Sequence, residues 1–258
     1  MTEILKNKIA FITGATAGIG LATAEKFAKH AYNLIICGRR KEKLEEIAEN
    51  LRRLNNIKVL AVCMDVRNNE DVQNQINNLP EDWKKIDILV NNAGLAVGLN
   101  ALQDGIIEDW ERMIDTNIKG LLFVSKAIMP LMIENGKGHI INIGSIAGRE
   151  IYPNGNVYCG TKAAVQSITY GMRMDLLKHG IKVTLIEPGA VETEFSVVRF
   201  KGDQERADNV YKGFKPLCGS DIADAIYYVT SLPPHVNIND MLIMPTAQAA
   251  AGLIDKKL

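Results

Sequence analysis

The chain lacks net charge: 30 Lys and Arg residues balance 30 Asp and Glu. That gives no support for a nucleic-acid partner or an acidic membrane surface, so any charge that matters is local. Cysteine is scarce. The four residues, Cys37, Cys63, Cys159 and Cys218, form no CxxC pair, and two of them fall in apolar strand-like runs. They read as reduced, mostly buried thiols of a cytoplasmic protein. No cluster of His, Cys and Asp has ligand spacing, so no metal is expected. The first residues, MTEILKNK, lack the apolar core of a signal peptide. No apolar run approaches the ~18 residues that a membrane span needs. Repeats, low-complexity tracts and Pro/Ser-rich linkers are missing too. Residues 1–258 are therefore expected to form a single large α/β domain.

What the chain does have is a regular alternation. Short apolar runs at 8–14, 32–38, 58–65, 85–94, 139–145, 182–189 and 241–245 are separated by amphipathic segments. In the segment 40–54, Leu44, Ile47, Ala48, Leu51 and Leu54 share one stripe, which predicts a helix. Two longer helices are expected, at about 107–134 and 155–178. Alternating strands and helices imply parallel strands joined by helical crossovers. The near-continuous apolar character of the strands suits a sheet covered on both faces. In such sheets ligands sit at the carboxyl ends of the strands, so the residues just after each strand carry the information.

The first of these junctions is TGATAGIG. Gly14, Gly18 and Gly20, with Thr16, Ala17 and Ile19 between them, follow one strand and open a helix. Glycines let backbone approach a pyrophosphate, and a helix N-terminus offers free N–H groups. The spacing is G-x-x-x-G-x-G, and no Lys-Ser/Thr follows as in a P-loop. The second strand ends in Cys37-Gly38-Arg39-Arg40 with no carboxylate in the turn. An acidic residue there suits the 2′-OH of NAD, whereas Arg suits a 2′-phosphate. The expected cofactor is therefore NADP. The alternative is a basic, solvated helix start, but cations at a helix N-terminus oppose its dipole. Asp65-Val66, after the third strand, is a place to meet an adenine or a helix cap. Asn92-Ala93-Gly94, after the fourth, is a small-residue turn where backbone can approach a ribose, or an Asx-type turn.

The fifth strand ends on Gly144-Ser145, and the next helix bears Tyr158 and Lys162. Four residues apart, the two side chains share one helix face. A phenol is a poor acid–base at neutral pH, and a neighbouring ammonium lowers its pKa. Ser145 can then hold a substrate oxygen while Tyr158 moves a proton. A Tyr-x-x-x-Lys spacing alone also describes a solvated surface pair; the Ser at the preceding strand end and the nucleotide signals upstream separate the two.

Taken together, TGATAGIG, Asp65-Val66, NNAG at 91–94, Asn117 in MIDTNIKG, Ser145, YCGTK at 158–162 and PGAVETEF at 188–195 resemble the classical short-chain dehydrogenases/reductases. The motifs span nearly the whole chain in family order. The resemblance implies one Rossmann-type, doubly wound domain with a seven-stranded parallel sheet. It implies hydride transfer between NAD(P) and an alcohol/carbonyl pair, with Tyr158 as acid–base and Ser145 as substrate orienter. It further implies that Lys162 binds the nicotinamide ribose and lowers the Tyr158 pKa, that Asn117 joins a water-linked proton relay, and that Pro188, Gly189, Val191 and Thr193 contact the cofactor. Homotetramers built on the two long helices are implied as well. One departure stands out: many NADP members carry a basic residue where this chain has Ala17.

The stretches WERMIDTN, PGAVETEFSVVRFKGD and LPPHVNIN resemble the NADP-dependent serine/3-hydroxy acid dehydrogenase group, including L-allo-threonine dehydrogenases. That implies small 3-hydroxy acids such as serine, allo-threonine or 3-hydroxypropionate. A carboxylate substrate needs a cation, and Arg149 and Arg199 are the candidates, each set against a solvated loop Arg. If Arg149 reaches the pocket, a sulfonate aldehyde such as sulfoacetaldehyde becomes an alternative. Residues 190–219 are expected to form a substrate lid. A hydrolase is disfavoured, since Ile143 stands two residues before Ser145 where G-x-S-x-G needs Gly. A non-catalytic NADP-binding regulator would show a broken Ser/Tyr/Lys set, and this one is intact. The tail AQAAAGLIDKKL is a candidate contact with a neighbouring subunit that the sequence itself does not show.

Overall fold

A computed structural model describes residues 8–257, so the leader reading of residues 1–7 lies outside it. Seven strands form one sheet: β1 (Ile9–Thr13), β2 (Asn33–Gly38), β3 (Val59–Cys63), β4 (Ile86–Asn91), β5 (His139–Ile143), β6 (Lys182–Pro188) and β9 (Asp240–Ile243). Their order is β3-β2-β1-β4-β5-β6-β9, and every pairing is parallel. The strands of the middle are buried along nearly their whole length, whereas β3 and β9 at the edges are partly exposed.

Period-two alternation divides the strand residues between two cores. Phe11, Ile35, Leu89, Ile140 and Leu185 pack on one side beneath α3 (Asn69–Asn77), α5 (Leu121–Glu134) and α6 (Asn156–Asp175). Ile12, Leu34, Ile36, Val90, Ile141 and Ile186 pack on the other beneath α1 (Gly18–Lys29), α2 (Lys41–Asn55) and α9 (Gly219–Ser231). Neither face has room for a polar alternation, which is why these strands are apolar throughout. The fold is the expected doubly wound α/β arrangement. Chain order reverses direction across the sheet between β1 and β4, which places the ligand crevice at their carboxyl ends.

The helix from Ile107 to Glu134 is continuous but not uniform. It consists of α4 (Ile107–Ile114), a π-helical stretch (Asp115–Gly120) and α5. It corrects one expectation: an 18-residue window has mean hydropathy 1.3, long and apolar enough to cross a membrane by length and composition. Its Met113, Leu121, Val124, Ile128 and Met132 are buried in the protein. Packing against the sheet accounts for these residues, whereas Ile114, Leu122 and Ile133 on the same helix are exposed.

Residues 190–219 hold more structure than the sequence suggests. Two short helices, α7 (Phe195–Arg199) and α8 (Gln204–Tyr211), lie between the small parallel strands β7 (Val191–Glu192) and β8 (Leu217–Cys218). The tail forms an antiparallel hairpin, β10 (Gln248–Ala250) with β11 (Leu253–Ile254).

Candidate active site

A cleft of about 500 Å³ opens at the carboxyl ends of β1, β4, β5 and β6. Its floor begins at the turn after β1. Gly14 has φ +66°, and a Cβ there would lie 2.9 Å from Asn92 Nδ2 and 3.0 Å from Ala93 Cα. Gly18 has φ +54°, and its missing side chain leaves the space that Thr193 approaches. Both positions therefore require glycine. No side chain caps α1 and no acidic residue occupies its first turn. An uncapped helix N-terminus beside a bare backbone turn is a seat for an anion. Thr16, Ala17 and Ile19 line this part of the cleft, but Gly20 does not. A Cβ on Gly20 would come within 2.4 Å of the Gly14 carbonyl oxygen, so Gly20 serves the turn itself.

Thr13 and Asn92 tie the ends of β1 and β4 together. The Thr13 hydroxyl oxygen accepts from the N–H groups of Asn92 and Ala93, each at 3.0 Å. Asn92 Nδ2 donates to the Thr13 and Gly14 carbonyls at 2.9 and 3.2 Å. Asn92 thus braces the glycine turn, and with Ala93 and Gly94 it lines the cleft.

At the adenosine end the two arginines part company. Arg40 lines the cleft, with Nε and Nη2 donating to Thr16 Oγ1 at 3.1 and 2.8 Å. Arg39 is exposed and does not line it. Asp65 and Val66 stand outside as well. The Asp65 carboxylate takes the Arg67 guanidinium, with Arg67 Nε at 3.0 Å, and Asn68 rather than Asp65 caps α3. Burial raises the Asp65 pKa, the bonds from Arg67 lower it, and the net is below the ordinary value. Val66 is buried under Gly120, where a Cβ would lie 2.8 Å from a Val66 methyl.

The reacting end gathers Ser145, Tyr158 and Lys162 on the cleft wall. Ser145 has extended backbone, and its Oγ accepts from the Ala147 N–H at 3.1 Å. Its own proton has only a long 3.5 Å contact with the Pro188 carbonyl, so the hydroxyl remains available to a ligand. Lys162 is buried, donates to the Ile143 carbonyl at 2.8 Å, and lies 5.9 Å from the centroid of the Tyr158 ring. Burial lowers the Lys162 pKa to about 8. Burial is also the largest influence on Tyr158 and pushes its phenol up, with Tyr152 adding to it and Ser145 and Arg199 opposing it. The net shift is upward, because desolvation outweighs the cations nearby. Tyr158 rests as a neutral phenol.

Asn117 sits in the π-helical stretch, away from the cleft surface. Its amide accepts from the Leu95 N–H at 2.9 Å and donates to the Leu95 carbonyl and to Thr161 Oγ1 at 2.8 and 3.0 Å. Its side chain is committed to holding the segment after NNAG against α6.

The two substrate arginines also divide. Arg149 does not reach the cleft. Its Nε donates to Glu187 Oε2 at 2.8 Å, and Nη2 bonds to the same oxygen. Glu187 is almost wholly buried at the end of β6 and holds the arginine away from any substrate. The expectation for Arg149 is thus corrected: it pins the loop after Ser145 to β6. Arg199 does line the cleft, and its Nε and Nη2 are buried without a partner. Its guanidinium carbon lies 5.3 Å from the Tyr152 ring centroid and 5.7 Å from that of Tyr158.

Pro188, Gly189, Val191 and Thr193 complete the wall on the β6 side. Sequence reasoning missed the apolar lining beyond them. Tyr152, Phe195, Val198, Phe200 and Tyr211 close the substrate end, with Phe195 packed edge-on to Tyr158 at 5.6 Å. Gln248, Ala251 and Ile254 of the tail hairpin line the cleft of their own chain. Gln248 Oε1 accepts from the Ala190 N–H at 2.7 Å. Glu150 accepts from the Ala251 N–H at 2.7 Å. A glycine between two short runs, AQAA and LID, was the only signal for this hairpin.

This geometry has counterparts among known proteins. The chain is 46% identical over 246 residues to the NADP-dependent 3-hydroxy acid dehydrogenase YdfG of Salmonella typhimurium, covering 95% of this chain and 98% of that protein. It is 47% identical over 250 residues to sulfoacetaldehyde reductase 2 of Chromohalobacter salexigens, covering 96% and 98%. The closed form of a serine dehydrogenase complexed with NADP+ superposes with TM-score 0.90 at 44% identity, over 97% of this chain and 100% of that one. The short chain dehydrogenase family model matches residues 8–204, from the first strand through the glycine turn, the Ser–Tyr–Lys cleft and the first half of the lid. By sequence, sheet order and site alike, the chain belongs to the short chain dehydrogenase family.

Proposed function

We propose that the protein transfers a hydride between NADP(H) and a small 3-hydroxy acid such as serine, allo-threonine or 3-hydroxypropionate and the corresponding carbonyl compound. One observation carries the substrate reading: the unpartnered, buried nitrogens of Arg199 beside Tyr158. A guanidinium on the cleft wall with unpaired N–H groups is complementary to a carboxylate. Carboxyl and hydroxyl-bearing carbons of a 3-hydroxy acid are about 2.5 Å apart. A molecule that short places its two ends against neighbouring side chains such as Arg199 and Tyr158.

The residues present fit a dinucleotide. The bare glycine turn, the uncapped start of α1 and Arg40 would hold its phosphates, while Asn92, Ala93, Gly94, Lys162 and Thr193 would line its ribose and nicotinamide end. When bound, NADPH supplies the hydride and NADP+ accepts it. In the reducing direction Ser145 orients the carbonyl oxygen by a hydrogen bond, and Tyr158 donates its phenolic proton to that oxygen as the alcohol forms. Arg199 holds the acid group, and the lid residues exclude water. In the oxidising direction the phenolate is needed, and the positive groups Lys162 and Arg199 favour it.

The same cation suits a sulfonate, and one relative is named a sulfoacetaldehyde reductase. A screen of NADP(H) turnover with serine, allo-threonine, 3-hydroxypropionate, 3-hydroxyisobutyrate, sulfoacetaldehyde and uncharged alcohols tests the reading. Higher kcat/KM for a 3-hydroxy acid than for its uncharged counterpart is expected; a preference for uncharged alcohols would refute it. A cytoplasmic homotetramer is part of the proposal. Exposed Ile114, Leu122 and Ile133 on the helix 107–134 support it, and sedimentation equilibrium tests it.

A further inference from the structure

Glu194 has no task in the reaction described above, yet it is among the most engaged acids of the cleft. It stands on the lid between β7 and α7 and reaches back across the cleft mouth to the start of α2. Its Oε2 is 2.9 Å from Arg40 Nη1 and its Oε1 is 3.1 Å from Lys43 Nζ. Arg40 is held on its other side by Thr16 of the glycine turn, through Nε, Nη2 and the Thr16 carbonyl. The neighbouring lid residue, Thr193, rests against Gly18. One carboxylate thus joins the lid to the side chain that distinguishes the adenosine end.

The electrostatics say why an anion is wanted there. Arg40, Lys41 and Lys43 cluster at the N-terminus of α2, where cations oppose the helix dipole, and Glu42 is the one acid in that first turn. Burial raises the Glu194 pKa, but the bonds from Lys43 and Arg40 prevail and hold it below the ordinary range. The carboxylate is half exposed, so these pairs are weak individually and replaceable.

We propose that Glu194 is an internal stand-in for the 2′-phosphate of NADP(H), occupying Arg40 and Lys43 until the phosphate displaces it. This inference rests on the NADP reading. A phosphate monoester brings about two negative charges to the same cations. A third beside it is repelled, so carboxylate and phosphate exclude one another. Filling the subsite therefore releases Glu194 from Arg40 and Lys43, a local loosening at residue 194 that leaves the rest of the lid over the cleft. A cofactor without the 2′-phosphate leaves that tie in place. Glu194 is in this way a specificity-determining residue that acts through Arg40.

The adenosine fragments 2′,5′-ADP and 5′-AMP probe this end without any substrate. Calorimetry with the full chain is expected to show Glu194→Gln binding 2′,5′-ADP roughly threefold to tenfold more tightly than the unaltered protein, the size of one or two exposed ion pairs. Binding of 5′-AMP is expected to be unchanged, which also certifies the fold. Hydrogen exchange across 193–200 is expected to quicken with 2′,5′-ADP in the unaltered protein and not in Glu194→Gln. Weaker 2′,5′-ADP binding by the variant would overturn the inference, because it would mean that carboxylate and phosphate bind together. An equal change for both fragments would overturn it too. If the unaltered protein fails to prefer 2′,5′-ADP over 5′-AMP, the NADP reading itself fails, a result distinct from either.

Discussion

Arg199→Met separates what a substrate anion gains from what the free protein loses. The guanidinium has two buried nitrogens without partners, offset by its stacking on Tyr152 and Tyr158. Two nitrogens left unpaired cost about 1–3 kcal/mol each when fully desolvated. Two cation–π contacts return about 0.5–2 kcal/mol each. Matching the two ranges end to end, the free protein should gain about 1–2 kcal/mol when a methionine of similar reach replaces the arginine. Binding of a 3-hydroxy acid should suffer the other way. A charge-assisted pair is worth about 1.5–3 kcal/mol, which is roughly tenfold to 150-fold in kcat/KM. The assay compares 3-hydroxypropionate with 1-propanol, which has the same carbon chain and no charge, at saturating NADP+. Selective loss for the acid, an unchanged rate for the alcohol and an equal or higher Tm are expected together. Parallel loss for both compounds, or a lowered Tm, would show that Arg199 props the cleft wall and does not receive the substrate.

Further outcomes concern the cofactor and the pH response. Replacing Arg39 and Arg40 by Ala should raise KM for NADP by about tenfold or more, the strength of one charge-assisted contact, and leave KM for NAD nearly alone. Because only Arg40 lines the cleft, Arg40→Ala alone should account for most of the effect, and steady-state kinetics of the two single variants checks this. Lys162→Met should abolish turnover while stabilising the fold near neutral pH. The folded-state pKa of Lys162 is about 8 against 10.5 for the unperturbed group. Between those values the unfolded chain holds a proton that the folded one does not, so stability rises with pH across the window and the burial penalty is complete below about 8. Denaturant titrations should give the variant an advantage of about 1–3 kcal/mol at pH 7, shrinking toward pH 10; an advantage independent of pH would refute the burial argument.

The sheet and the cofactor turn were legible because their causes are local. A strand buried on both faces must be apolar at every position, and a backbone that approaches a ligand must be glycine, so β1, β5, β6 and the 14–20 turn announce themselves. The Ser145, Tyr158 and Lys162 set was legible through helix spacing and one strand end. Arg149 misled because its partner, Glu187, lies 38 residues away and meets it only through the β5–β6 pairing. Asn117 carried no pattern of its own, since a π-helical change in hydrogen-bond register leaves no trace in side-chain periodicity. The direction of the Tyr158 shift was missed because desolvation belongs to the packed cleft and not to the residue beside it.

The tail hairpin has a consequence for how such a protein diversifies. The family match ends at residue 204, whereas Tyr211, Gln248, Ala251 and Ile254 border the substrate end of the cleft. The parts that hold the nucleotide and move the proton lie within the matched portion, with most of the substrate wall, and the later portion adds one further side of the enclosure. Exchanging residues 245–257 between relatives is thus a compact way to redirect an inherited chemistry.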